Sequence, residues 1–458
     1  MTLLQVPGVS LAIVERGDVM QVEGFGYCSI DRSAKISPNT PFRIGSTTKP
    51  LTSLLVAALV DRGEVEWTTP IKNLLPGFVL ADPEATHTLL LKHTLGACSV
   101  MPSREAITLF HLGDLSPEER ITRLSSVRPQ SAWGEKFYYS NTLAALGGYA
   151  AAQSYVTNGS LQGSFRQAML QNIFQPLEMS NTFLLPEDRP SAECAQPHAI
   201  DLEGLCRSVP PKLERFVDPM APAGAIWSTA ADMAHYLVLE LGSGLSEPSQ
   251  KVAPREQLEY RWRNGIEMSP GSRYGLGMIM TEVHGMLIVG HGGNTHGFSS
   301  DLFFMPDHDL GVVILTNRGM AIDFLTAIRQ RFLELAFGVK PYAEAMVEQA
   351  ACRLRETGQR LREDISQRDA AALELSRLLG EYRSEELGSA TLQKRDDEYQ
   401  IDFEHWGSAI GHQHQKWREM QCLVLTSVPW SGALQFRIEP DWLVLGSKSG
   451  DYSFHKIS

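Results

Sequence analysis

Apolar, β-prone runs at the start of this 458-residue chain return only after residue 274, and that arrangement constrains the fold more than any other feature. Val9 to Val14 and Val19 to Tyr27 flank the turn-like cluster Glu15-Arg16-Gly17-Asp18 and read as a hairpin. Tyr274 to Thr281, Met286 to Val289, Ser300 to Met305 and Gly311 to Thr316 read as further strands, the last as a continuous apolar run of a buried strand. From about residue 64 to 220 the pattern is broken by Pro, Gly and Ser and holds no long alternation, which reads as a mostly helical insertion. Strands at both ends around a helical middle imply one sheet assembled from the two ends.

Helical periodicity marks the elements around that sheet. From Ser46 to Arg62 the residues Leu51, Leu54, Leu55, Ala58 and Leu59 recur at three and four, and Gly63 stands where a helix cap belongs. Helices are also expected from Ala230 through Leu241 and from Ile322 to Phe337. Residues 343–379 turn charged and helical and read as a solvated connector. After Gly380, short alternating runs (Ala390 to Lys394, Tyr399 to Phe403, Leu423 to Val428, Leu434 to Ile438, Leu443 to Leu445, Tyr452 to Ile457) argue for a small antiparallel barrel or sandwich. The division that follows is 1–338, 339–379 and 380–458.

Composition narrows the partners. Lys plus Arg number 41 against 53 Asp plus Glu, a net charge of −12, and no local basic patch offsets it, so nucleic acid and anionic lipid surfaces are excluded as themes. Small-molecule or peptide substrates fit better. With 43% hydrophobic and 21% charged residues the chain is an ordinary globular one, and no apolar run approaches the ~20 residues of a membrane span. The six cysteines are dispersed, without the paired Cys/His spacing of a zinc site, and read as free thiols. Asn158-Gly159-Ser160 is a glycosylation sequon without secretory context.

Three short motifs carry chemistry. Ser46-Thr47-Thr48-Lys49 is an S-x-x-K tetrad at a helix start, where a three-residue spacing returns the amine to the face of the hydroxyl one turn along. A desolvated lysine can then take the serine proton, and the helix N-terminus supplies N–H groups to an oxyanion. The same pattern recurs at Ser453-Phe454-His455-Lys456, but in a strand-like run whose alternation separates the two side chains. Tyr139-Ser140-Asn141 precedes a helical run and offers a proton relay and a bifunctional amide. His291-Gly292-Gly293 follows the strand Met286 to Val289, its glycines permitting close approach to a substrate. His412 and His414 read as a solvated strand or loop, and His296 as a residue of the site mouth or of a surface loop.

In this order, the motifs resemble those of serine hydrolases related to class C β-lactamases and low-molecular-weight penicillin-binding proteins, a group that includes esterases, D-amino-acid peptidases and acyltransferases. The resemblance runs from about Val6 to Phe337 and extends to Phe42-Arg43-Ile44-Gly45, His93-Thr94-Leu95-Gly96, Tyr274-Gly275-Leu276-Gly277 and Gly290 through Phe298. It implies an α/β core, an antiparallel sheet flanked by helices with a mostly helical inserted subdomain. The C-terminal strands would form an all-β, lipocalin-like barrel. It also implies Ser46 as the acylated nucleophile, Lys49 as its base, and Tyr139 as the group that passes the proton on. Asn141 would orient substrate and Lys49, and His291 would line the site from an edge strand. Gly292 and Gly293 would lie along the substrate, and the N–H groups of Ser46 and Asn294 would bind the oxyanion. No metal or organic cofactor is implied.

Two departures shape the expected substrate. The third motif begins with His where true β-lactamases have Lys, and a largely neutral imidazole does not hold a substrate carboxylate as a permanent cation does. Penicillins are therefore not the expected natural substrate; a carboxylic ester or peptide-like amide is, hypothetically with D-configured residues. The chain also begins almost at its first strand, where the family has a helix, and without a signal peptide the expected compartment is the cytoplasm. Acyl transfer, as in peptide-cyclising thioesterases of the penicillin-binding-protein type, is the alternative enzymatic reading, and a ligand sensor that stays acylated is the non-catalytic one. The oligomeric state is left open.

Overall fold

The computed structural model describes residues 1–458 apart from 99, 103–104, 158, 186–187, 189–192, 243–251, 366–374, 416–419, 432, 448–449 and 458. Asn158 of the sequon thus lies outside the described residues. An eight-stranded antiparallel sheet runs in the order Asp18–Gly26, Gly8–Glu15, Leu310–Thr316, Ser299–Met305, Met286–Asn294, Ile279–Val283, Ser272–Tyr274, Ile266–Ser269. The two chain segments that build it join where Gly8–Glu15 pairs with Leu310–Thr316, from Val9 opposite Thr316 to Glu15 opposite Leu310.

Alternation along the central strands explains their unbroken apolar runs. Leu302, Phe304, Val313 and Leu315 pack on one face with the helices Thr48–Asp61 and Ala230–Leu241. Phe303, Met305, Val312 and Ile314 pack on the other with the helices Ile322–Phe337 and Ala343–Asp364. A sheet covered on both sides has no face left for polar residues. The helix Thr48–Asp61 is likewise enclosed, every residue from Thr48 to Leu59 being buried.

Two strand expectations are corrected. The run Tyr274 to Thr281 is not one strand: it breaks into Ser272–Tyr274 and Ile279–Val283 around Gly277, whose φ is +79° and where a Cβ would come within 2.9 Å of Lys49 O. Close packing against the helix Thr48–Asp61, not strand propensity, decides that segment. His291-Gly292-Gly293 does not follow its strand but continues it through Asn294.

The C-terminal strands close into an eight-stranded antiparallel barrel, with Tyr382 opposite Lys456 at the closure. The strands Gly380–Ser384 and Gly407–Gln415 are too polar and glycine-rich to stand out in the sequence. His412 lies on the second of these and is buried rather than solvated, while the side chain of His414 lies outside the described residues. The second S-x-x-K falls on the last barrel strand, Tyr452–Lys456. Among the described residues no helix is long and apolar enough to cross a membrane.

Arg261 and Glu240 form an ion pair with both side chains 0% exposed, and Arg261 Nη1 donates to Pro50 O of the helix Thr48–Asp61 at 3.2 Å. Arg261→Met leaves the Glu240 carboxylate buried without a counter-ion, so a loss of about 3–5 kcal/mol is expected in chemical denaturation. Adding Glu240→Leu to that variant should restore much of the loss.

Candidate active site

Ser46 lies on a 3₁₀ turn, Gly45–Thr47, that runs directly into the helix Thr48–Asp61. Two glycines allow this turn to meet the strand Met286–Asn294 backbone to backbone. Gly45 has φ +53°, and a Cβ on it would lie 2.8 Å from Asn294 N. A Cβ on Gly293 would lie 2.0 Å from Ile44 O and 2.9 Å from Ser46 N. Hydroxyls pin the junction: Thr47 Oγ1 donates to His291 O at 3.1 Å, and Ser300 Oγ donates to Ile44 O at 2.7 Å. The main-chain nitrogens of Ser46 and Asn294 are thereby held at one end of the nucleophile helix.

One helical turn on, the Lys49 amine donates to Ser46 Oγ at 2.9 Å, to Asn141 Oδ1 at 2.7 Å and to Ala223 O at 2.8 Å. Burial pushes its pKa down to about 7, against a weaker upward pull from the Glu105 carboxylate. The three acceptors match the three protons of an ammonium. Once one proton is lost, the two carbonyl oxygens retain the remaining N–H groups, and the lone pair faces the serine hydroxyl, the one partner that can donate back. Asn141 is fixed in turn, its Nδ2 donating to Glu105 Oε1 at 2.9 Å. It opens the helix Asn141–Tyr155, capped by Ser140 Oγ, which accepts from Leu143 N at 3.2 Å.

Tyr139 OH donates to Ser46 Oγ at 2.8 Å, and the Lys49 amine lies 4.7 Å from the centroid of the same ring. Burial raises the phenol well above its ordinary pKa, with Glu105 adding to the rise and the bond to Ser46 opposing it, so Tyr139 stays protonated across the working pH range. Ser46 Oγ is therefore contacted by one group able to take a proton and one able to give one.

His291 is placed differently from the expectation. Its strand is interior, paired with Ser299–Met305 on one side and, as far as Gly290, with Ile279–Val283 on the other; only from His291 onward is that second side open. The imidazole is held by Tyr274 and its own strand, with Nε2 3.0 Å from Tyr274 OH and Nδ1 2.6 Å from Gly292 O. Its ring centroid lies 6.0 Å from that of Tyr139 and 5.7 Å from that of Tyr274. Burial, reinforced by the charge of Lys49, pushes its pKa to about 3, so it is neutral and acts as packing behind Tyr139. Gly292 is exposed on the strand, and Asn294 Oδ1 accepts from Ser299 Oγ at 2.7 Å.

A cleft of about 290 Å³ opens over Ser46, Asn141 and Asn294. Its wall holds residues that no motif announced. Glu105, 36 residues before Asn141, is the acidic side chain among the described lining residues. His296 lies between Phe216 and Trp430, with ring centroids at 4.1 and 4.9 Å, and burial pushes its pKa to about 3. Spacing hinted at His296 through its nearness to His291; nothing local marks Glu105.

Comparison with known proteins follows the same outline. The profile of the Beta-lactamase family matches residues 2–335. Penicillin-binding protein 4 of Amycolatopsis lactamdurans is 26% identical over 346 residues, 73% of this chain and 87% of that one. Protein flp of Staphylococcus aureus strain MW2 is 25% identical over 325 residues, 68% of this chain but 60% of that protein's length. Among solved structures, an octameric penicillin-binding protein homologue from Pyrococcus abyssi superimposes with a TM-score of 0.60 at 21% identity, covering 100% of this chain and 97% of that one. That likeness speaks for the fold and includes the C-terminal region that lies beyond the family match. That family match spans most of the sequence, and the chain belongs to the Beta-lactamase family.

Proposed function

We propose that the protein is a serine hydrolase that forms an acyl-enzyme on Ser46 and cleaves a carboxylic ester or a peptide-like amide. The observation that carries this reading is the double contact on Ser46 Oγ, Lys49 Nζ at 2.9 Å and Tyr139 OH at 2.8 Å. Neutral Lys49 takes the Ser46 proton as Oγ attacks the carbonyl carbon, and the carbonyl oxygen becomes an oxyanion that accepts from Ser46 N–H and Asn294 N–H. Tyr139 donates its proton to the leaving oxygen or nitrogen as the bond to the acyl carbon breaks, and recovers one from Lys49. Water then attacks the acyl carbon, with its proton passing to the same amine, and Ser46 departs reprotonated. Asn141 keeps the amine aimed and offers its amide to the substrate.

The neutrality of His291 disfavours penicillins within this reading, because an uncharged imidazole does not hold a substrate carboxylate as a permanent cation does. Glu105 on the cleft wall works in the same direction, repelling anionic acyl groups.

Ser46→Ala is expected to lower turnover of p-nitrophenyl acetate by about 10³-fold or more and to abolish the acetyl adduct in intact-mass spectra. A labelled Ser46→Ala protein would place the nucleophile elsewhere. Because a protonated Lys49 cannot accept a proton, kcat/KM should fall as pH drops through about 7 and level off above it. Glu105→Gln removes the charge that favours the ammonium while keeping an acceptor for Asn141, so the midpoint of that profile should move to lower pH. An upward move would contradict the assignment of the limb to Lys49.

A further inference from the structure

The cleft over Ser46 is not built by one domain. Beside Ser46 and Asn141, it is lined by Leu434, Leu445, Gly446 and Ser447, all from the C-terminal barrel. The barrel is fastened there by the short helix Ala106–His111, which follows Glu105 directly. Phe110 on that helix is 1% exposed and enters the aromatic interior of the barrel, its ring centroid 4.8 Å from Phe403 at an interplanar angle of 85° and 5.8 Å from Phe454. Trp406 Nε1 donates to Leu109 O at 3.2 Å, and His111 Nε2 lies 3.0 Å from Glu386 O. Ile107, Phe110, Leu112 and Leu213 share one apolar core with the barrel strands. One helix thus holds Glu105 against Asn141 at its start and plugs the barrel near its end.

The direction of the cleft follows from what does not line it. Tyr139 donates to Ser46 Oγ at 2.8 Å, and neither it nor His291 is among the described lining residues of the cleft, so a leaving group that takes its proton from Tyr139 departs away from the cleft wall. The part of the substrate retained on Ser46 faces the barrel. There the wall is apolar, with Leu109, Met220, Leu434 and Leu445, and Glu105 is the acidic side chain among the described lining residues.

We propose that the barrel forms the acyl-binding wall of the active site and selects an uncharged, apolar acyl chain. This rests on Ser46 as the nucleophile. Gly446 gives a clean test, because the nearest atom to a Cβ placed on it is Asp451 Oδ1 at 3.6 Å, and a larger side chain has room to grow over the cleft. Full-length wild type, Gly446→Trp and Leu434→Ala are compared on p-nitrophenyl acetate, butyrate and octanoate, with acyl-adduct mass and p-nitrophenolate release both recorded. Gly446→Trp is expected to lower kcat/KM for octanoate at least tenfold more than for acetate; Leu434→Ala is expected to lower the octanoate-to-acetate ratio several-fold. Should Gly446→Trp melt below wild type, Leu434→Ala decides. Equal changes on all three esters, or no change on any, overturn the barrel assignment while leaving Ser46 as nucleophile. Wild type that acquires no adduct on Ser46 from any ester overturns the mechanism and this inference with it.

Discussion

Everything at this site depends on a lysine amine that is buried without a carboxylate in contact. Desolvation alone would expel such a group or strip its proton, and direct contact with an acid would restore the charge and end its use as a base. Lys49 avoids both outcomes through three neutral acceptors, Ser46 Oγ, Asn141 Oδ1 and Ala223 O. The nearest acid, Glu105, acts through Asn141 and so pulls only weakly. The amide is a spacer that transmits a hydrogen bond and withholds most of a charge. A pKa of about 7 is the balance of those two influences.

The fold exists around that balance. A helix buried from Thr48 to Leu59 keeps water from the amine, and a sheet covered on both faces holds the helix. Glycines at 45, 277 and 293 let the nucleophile turn, the loop before Ile279–Val283 and the third-motif strand close to distances that a Cβ forbids. Arg43, three residues before Ser46, donates to Glu214 O and pairs with Asp218, drawing the segment Pro211–Met220 over the cleft. The barrel continues the same construction from outside, through Phe110.

Much of this was legible in the sequence, and the reasons differ by element. The hairpin, the helices Ala230–Leu241 and Ile322–Phe337 and most barrel strands are written in local apolar periodicity, which packing on the core reproduces. Ser46, Lys49, Tyr139 and Asn141 were legible because each motif is short and its geometry is set by one helix end. The break at Gly277 and the strand character of His291 to Asn294 were not, because both are decided by contact with the nucleophile turn from far along the chain. The inward turn of His291 toward Tyr274 escaped for the same reason, since it takes a partner on a neighbouring strand to hold the ring. Glu105 had no signal, being a lone acid in a loop whose meaning comes from Asn141. The approach of the barrel to Ser46 is a tertiary fact, to which a six-residue helix carrying Phe110 contributes contacts far from the barrel in sequence.

The central claim is that the Lys49 amine loses its proton near pH 7 in the resting protein. Incorporating [ε-13C]lysine and following the Lys49 resonance by NMR, assigned by its loss in Lys49→Gln, tests it directly. The account predicts a titration midpoint near 7, far below the ordinary lysine value of about 10.4. A Lys49 midpoint near that ordinary value would contradict it.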